Sequence, residues 1–199
     1  MTKSGIKARS GGFSLIEVLI AMLILSFGVL SMGGLQLAAL KSNQIAGNMS
    51  LAATLAKDYS EMMRSNWGLS STTTVSANPY LFDTSVSSSF TATPSTTCGA
   101  STCNVSQMAT LHVADWAQRV ASQLPGGRAV VCRDLTPRNS DGTYRWNCSS
   151  GTSTAVVSPV TIKIGWVDKR EQVERGTTTM SVTAPNPQFV MTGFTGYAE

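Results

Sequence analysis

One carboxylate interrupts a long apolar stretch, and its distance from a pair of glycines is what could do chemistry here. Glu17 is the only charged residue among the 28 positions from Phe13 to Leu40. An acidic side chain in a membrane helix costs about 2.5 to 3.5 kcal/mol at mid-bilayer and less near the interface. It therefore needs either a solvated position at headgroup level or a cationic partner. Cutting the chain can supply that partner. Scission between Gly12 and Phe13 would free an amino group four helical residues before Glu17, about 6 Å along the axis. Two such chains offset by about one turn could set one carboxylate beside the other's ammonium. In a low-dielectric setting that pair would select a register, because any other register leaves both charges unpaired.

Cys98, Cys103, Cys132 and Cys148 form a second candidate group, and all four follow the apolar run. An even number beyond a membrane segment fits export to an oxidising compartment. Three pairings can be drawn. Nearest neighbours, Cys98 with Cys103 and Cys132 with Cys148, are favoured because each pair brackets a turn-rich segment. Zinc is the competing reading, but neither spacing is the two-residue knuckle of a zinc ribbon, and the single histidine, His112, lies outside any suitable cluster. No metal and no cofactor is expected.

Other chemistries find little support. His112 lacks the neighbours of a catalytic triad or an HExxH site, so no enzyme is expected. GGLQL and LPGGR lack phosphate-loop spacing, and Gly126 and Gly127 read as a turn. Trp116, Trp146 and Trp166 fall in helix and strand patterns that suit core packing better than nucleotide stacking. Lys169, Arg170, Glu171, Glu174 and Arg175 are mixed in sign and suit a solvated hairpin end.

The elements that must position these groups follow from segmental composition. The chain has 199 residues and a formal charge of +4, of which Lys3, Lys7 and Arg9 supply three, leaving about +1 for the remainder. Direct nucleic-acid binding through bulk charge is thus not expected, and the early basic residues suit the positive-inside rule. MTKSGIKARSGG is polar and ends in two glycines that do not favour helix. Since about 20 apolar residues span a bilayer, residues 13–40 can cross and continue beyond it. An ordinary secretory signal has its small-residue cleavage site after the apolar region, whereas here the leader-like features come first. The expected organisation is a leader at 1–12, a transmembrane helix at 13–40 and an exported head at 41–199.

Within the head, the absence of proline before Pro79 and the recurrence of Leu51, Leu55, Tyr59 and Met62 predict a helix continuing to about Asn66 with one buried side. Gly33 and Gly34 read either as close helix packing or as a hinge. Residues 68–104 read as a Ser- and Thr-rich loop. Ser106 is the expected cap of a helix to Leu124, with Met108, Val113, Trp116, Val120 and Leu124 toward one side and Pro125 ending it. Strands are predicted at 128–133, 144–147, 160–168 and 177–183, forming an antiparallel sheet packed on the amphipathic part of the long helix.

The string GGFSLIEVLIAMLIL resembles the class III signal of type IV prepilins and pseudopilins. By that resemblance Gly12 is required by a prepilin peptidase, Phe13 becomes the N-methylated first residue, and Glu17 guides docking into a filament. CGASTC, DWAQRVASQLPGGRAVVC and VTIKIGWVD resemble the PilV type of minor pilin. The resemblance implies the α+β type IV pilin fold, with a long N-terminal helix on a C-terminal antiparallel sheet, a second helix and disulfides. It also implies inner-membrane anchoring, a periplasmic head and later a place in an extracellular pilus. The implied partners are the peptidase, other minor and major pilins and the pilus assembly platform. A minor pseudopilin of a type II secretion system, and a pilus-borne module binding a ligand or DNA, are the alternatives.

Overall fold

A single helix, α1 (Leu15–Ser65), begins the computed structural model, which describes residues 12, 14–74, 77–83, 98, 102–149, 158–167, 184 and 186–193. The chain divides into two units, residues 1–46 and 47–199, and α1 contributes to both. In the first unit Gly33 and Gly34 are helical, and among the described residues no neighbouring side chain lies within 4 Å of a built Cβ.

The second unit contains the end of α1, then α2 (Trp67–Ser70), β1 (Phe82–Asp83), α3 (Val105–Gln123), β2 (Arg128–Arg133), β3 (Val160–Gly165) and β4 (Phe189–Thr192). The four strands form one antiparallel sheet in the order β1-β2-β3-β4. This is the expected α+β class, with the helix packed on an antiparallel sheet, a further helix and two disulfides. Strand alternation divides the sheet into two faces. Ala129, Val131, Val160, Ile162 and Ile164 enter the core with Ala52, Leu55, Ala56 and Tyr59 of α1 and Val113, Trp116, Ala117 and Val120 of α3. The buried stripe of α1 thus keeps Leu55 and Tyr59 but runs through Ala52, Ala56 and Met63, leaving Leu51 and Met62 only half-buried. Alanine at two of these positions lets the helix approach its neighbours closely.

Aromatic side chains concentrate where the helices and the first strand meet. Tyr59 and Trp116 have ring centroids 4.5 Å apart, and Phe82 lies 5.9 Å from Tyr59 and 6.0 Å from Trp116. Such pairs contribute about 0.5 to 1.5 kcal/mol each beyond area burial. Their polar atoms are satisfied: the Tyr59 hydroxyl donates to the Tyr80 carbonyl at 2.7 Å, and Trp116 Nε1 donates to the Leu55 carbonyl at 2.8 Å.

Several local expectations need correction. Asn104, not Ser106, caps α3, because its side chain accepts from the Gln107 amide while Gln107 accepts from the Asn104 amide, each at 2.9 Å. Residues 144–147 form no strand: Tyr144 makes only an isolated bridge to Arg138, and the segment belongs to a loop. β3 ends at Gly165. β1 and β4 were not expected; β1 has only two residues and exists by pairing with Val130 and Val131. In the expected loop, α2 and the stretch around Asn78 are structured. Asn78 Nδ2 donates to the Ser70 and Thr72 carbonyls at 3.0 and 2.9 Å, and Asn78 Oδ1 accepts from the Tyr80 amide at 3.0 Å. The expected strand at 177–183 and the charged cluster at 169–175 lie outside the described residues.

The LPGGR turn has a steric explanation. Gly126 adopts φ 57°, a left-handed conformation suited to glycine. At Gly127 an added Cβ would stand 2.3 Å from the Val120 carbonyl oxygen. The chain can therefore reverse from α3 into β2 against the helix end only without a side chain there.

Candidate processing and assembly segment

The first described helical hydrogen bonds run from the Glu17 and Val18 amides to the Ser14 carbonyl, at 3.0 and 3.3 Å. α1 therefore begins at Leu15, with Gly12 and Ser14 outside it. Gly12 is exposed, and among the described residues no heavy atom outside its chain neighbours lies within 4 Å of a built Cβ. Phe13 and residues 1–11, including Lys3, Lys7 and Arg9, lie outside the described residues. Glu17 is exposed in the first turn of α1. There the positive end of the helix dipole favours a carboxylate by about 0.3 to 1 kcal/mol.

From Leu15 to Leu40 the helix exposes its apolar side chains. Leu15 is 87% exposed, Leu30 72% and Leu35 73%, and the most apolar 18-residue window has a mean hydropathy of 2.4 with none of its residues buried. In water such a surface would be strongly unfavourable, at roughly 25 cal/mol per Å². By length and composition it can cross a membrane: residues 15–40 rise about 39 Å at 1.5 Å each, against about 30 Å of hydrocarbon. Two of its polar groups are satisfied within the helix. The Ser26 hydroxyl bonds the Met22 and Leu23 carbonyls at 2.8 and 2.9 Å, and the Ser31 hydroxyl bonds that of Phe27 at 3.0 Å.

In the second unit the structure joins Cys98 to Cys103 and Cys132 to Cys148, with Cα separations of 5.4 and 6.2 Å. His112 is exposed on α3 beside a shallow depression of about 420 Å³ lined also by Asp58, Glu61, Asp115 and Arg119. Arg119 lies 3.4 Å from both Asp58 and Asp115, so the depression contains a surface ion-pair cluster. Trp116 and Trp166 are core residues. Trp146 is half-buried outside the main core, with the Arg128 guanidinium 4.1 Å above its ring and its Nε1 donating to the Ala184 carbonyl at 3.1 Å.

The sequence reading missed a polar centre on the second face of the sheet. Lys163, in the middle of β3, and Asp134, just after β2, have fully buried side chains and meet at 2.5 Å. Burial by itself would push the Asp134 carboxyl up. Hydrogen bonds from Lys163, from the Thr136 amide and from the Ser149 hydroxyl and amide outweigh that effect and hold it below the ordinary carboxylate value. The only available signal was a lysine between two isoleucines of β3, which alternation reads as solvent-facing.

A family model for the prokaryotic N-terminal methylation motif matches residues 7–33, which include Gly12, Phe13 and Glu17. No curated protein and no solved structure is significantly similar to the chain. The motif supports a type IV pilin-like or pseudopilin-like structural subunit, processed by a prepilin peptidase and assembled with other pilins. The exposed apolar helix that carries it fits membrane anchoring and filament incorporation.

Proposed function

We propose that this chain is the precursor of a minor pilin that primes or modifies assembly of a type IV pilus. Residues 1–12 are the leader, and the prepilin peptidase cuts between Gly12 and Phe13 at the cytoplasmic face. Phe13 becomes the methylated first residue. Residues 13–40 hold the subunit in the inner membrane with the head, residues 41–199, in the periplasm. The assembly platform then draws that helix into the filament, and the subunit leaves the cell as part of an extracellular pilus.

The observation that carries this reading is the coincidence of the methylation motif at residues 7–33 with an exposed apolar stretch of α1, residues 15–40, whose only acid is Glu17. Lipid tails and neighbouring helices are alike apolar, so moving α1 from one to the other changes desolvation little. What must be specified is register. The new ammonium on Phe13 and the carboxylate of Glu17 on an adjoining subunit supply it, since a pair in low dielectric is favoured strongly over two unpaired charges. The CGASTC element and the LPGG turn favour a minor pilin within this class.

Mass spectrometry of the membrane-extracted protein tests the proposal. With the peptidase present, the mature chain should begin at Phe13 and carry one methyl group; without it, Met1 to Gly12 should remain. A mature chain that keeps residues 1–12 in the presence of active peptidase would refute it. Deleting the gene then distinguishes the machines: loss of surface fibres indicates a pilus, and retained fibres with blocked exoprotein export indicate a secretion pseudopilin.

A further inference from the structure

Lys163 occupies the face of the sheet that points away from α1 and α3, together with Val130, Cys132 and Thr161 by strand alternation and pairing. Nothing in its own strand compensates its charge. Among the described residues its Nζ has three acceptors: Asp134 Oδ2 at 2.5 Å, the Asn147 carbonyl at 2.9 Å and the Trp146 carbonyl at 3.4 Å. All three belong to the segment closed by the Cys132–Cys148 disulfide. Asp134 is in turn held at that segment's two ends. Its Oδ1 accepts from the Thr136 amide at 2.9 Å, the Ser149 amide at 3.2 Å and the Ser149 hydroxyl at 2.9 Å. The ring of Trp146 lies over Gly165, where a built Cβ would come within 2.7 Å of it.

We propose that the segment between Cys132 and Cys148 is an oxidation-dependent cover for the Lys163 ammonium, so that the head reaches its final packing only after this one bridge forms. Forming the bridge joins two thiols as a disulfide and passes two electrons and two protons to a disulfide-bearing oxidant, which leaves as a dithiol. Without the bridge, closing a segment with a sequence separation of 16 costs loop entropy that the disulfide otherwise removes from the unfolded chain. A buried ammonium loses all its compensation once its partners withdraw, which is far more destabilising than loss of an apolar contact. The cover therefore opens, water reaches Lys163, and Val130 and Thr161 lose their shelter. In a reducing compartment the second face of the sheet stays open, and export to an oxidising one closes it. Among the described residues Cys98–Cys103 makes none of these contacts, and it serves as the control bridge.

The test uses the full chain in detergent micelles, acetylated with acetic anhydride, with the modification at each lysine followed by mass spectrometry. In wild type and in Cys98→Ala/Cys103→Ala, Lys163 should be protected while exposed Lys57 reacts freely. In Cys132→Ala/Cys148→Ala, Lys163 should react at least about tenfold faster with Lys57 unchanged, as expected for local opening. Unchanged protection of Lys163 in a folded Cys132→Ala/Cys148→Ala protein would overturn the proposal. If that variant instead loses the folded head, adding Asp134→Asn with Lys163→Met should restore native tryptophan emission, because no buried charge then needs the cover. Failure of that rescue would equally overturn it.

Discussion

The indole nitrogen of Trp116 donates to the backbone carbonyl of Leu55 at 2.8 Å, linking α3 to α1 across 61 residues of sequence. Both residues are fully buried or nearly so, and the Trp116 ring lies against Tyr59 one helical turn beyond Leu55. This bond fixes how α3 rests on the end of α1, and with it the origin of the turn that feeds β2.

Replacing Trp116 by Phe keeps an aromatic ring but removes the donor and part of the volume. The Leu55 carbonyl remains in a helix, so the expected cost is moderate, about 1 to 3 kcal/mol, or roughly 2 to 4 °C in Tm per kcal/mol. Near-UV circular dichroism of the full chain in detergent during heating measures it. An unchanged midpoint would mean that the bond contributes nothing to the packing of the two helices.

Asp134 and Tyr59 set opposite limbs of the pH profile. The folded-state pKa of Asp134 lies below its ordinary 3.8, so acid protonates the unfolded chain more readily. Its contribution is present above about pH 4 and is lost as pH falls through the folded value. Burial, and to a lesser degree the neighbouring Tyr80, pushes the Tyr59 phenol well above 10.0, so its contribution is present below about pH 10 and is lost as pH rises beyond. Unfolding midpoints measured between pH 2 and 11 should fall at both ends, and Asp134→Asn/Lys163→Met should flatten only the acid limb. An acid limb as steep in that variant as in wild type would assign the loss to other carboxylates.

Two glycine-to-alanine changes should behave oppositely. At Gly127 the new methyl meets the Val120 backbone carbonyl, which is not free to move, and a cost of about 1 to 3 kcal/mol is expected. At Gly34 a methyl meets nothing within 4 Å and raises helix propensity by about 1 kcal/mol. Head unfolding followed by tryptophan emission should therefore shift for Gly127→Ala and stay fixed for Gly34→Ala. Equal behaviour would contradict the steric account of the LPGG turn.

On the proposed assembly mechanism, Glu17→Ala should still lose residues 1–12, because the scission point is untouched. Its recovery in sheared fibres should fall by at least about tenfold, equivalent to about 1.4 kcal/mol in relative incorporation. Gly12→Val should retain the leader. Immunoblotting of sheared and membrane fractions gives the first result and amino-terminal mass the second. Normal fibre incorporation of Glu17→Ala would remove the charge-pair account of register.

Much of this protein was open to reading from the chain alone because its strongest signals are local. The run from Phe13 to Leu40 is apolar enough that its helix and its outward surface follow from hydropathy. The solitary Glu17 behind Gly12 and Phe13 belongs to the methylation motif at residues 7–33, which is legible without any fold. Arg128–Arg133 and Val160–Gly165 announce themselves through β-branched residues and alternation, and Pro125 with two glycines ends α3.

Other features exist only because distant segments meet. β1 is two residues long and is a strand by virtue of the edge that Val130 and Val131 offer it; β4 likewise pairs with β3 across an intervening stretch. Tyr144–Asn147 has strand-forming side chains yet is held as a loop, since its carbonyls at Trp146 and Asn147 are directed to the Lys163 ammonium. Lys163 itself alternates like a surface residue, and only the folding of Asp134 and its neighbours over the sheet buries it. Chain pattern thus determined the apolar run, the methylation motif and the main helices and strands, where hydrophobicity and backbone preference act over a few residues. Tertiary structure decided which edges are paired and which charges are enclosed, because a charge can remain buried only where a remote segment brings it an opposite charge and hydrogen-bond acceptors.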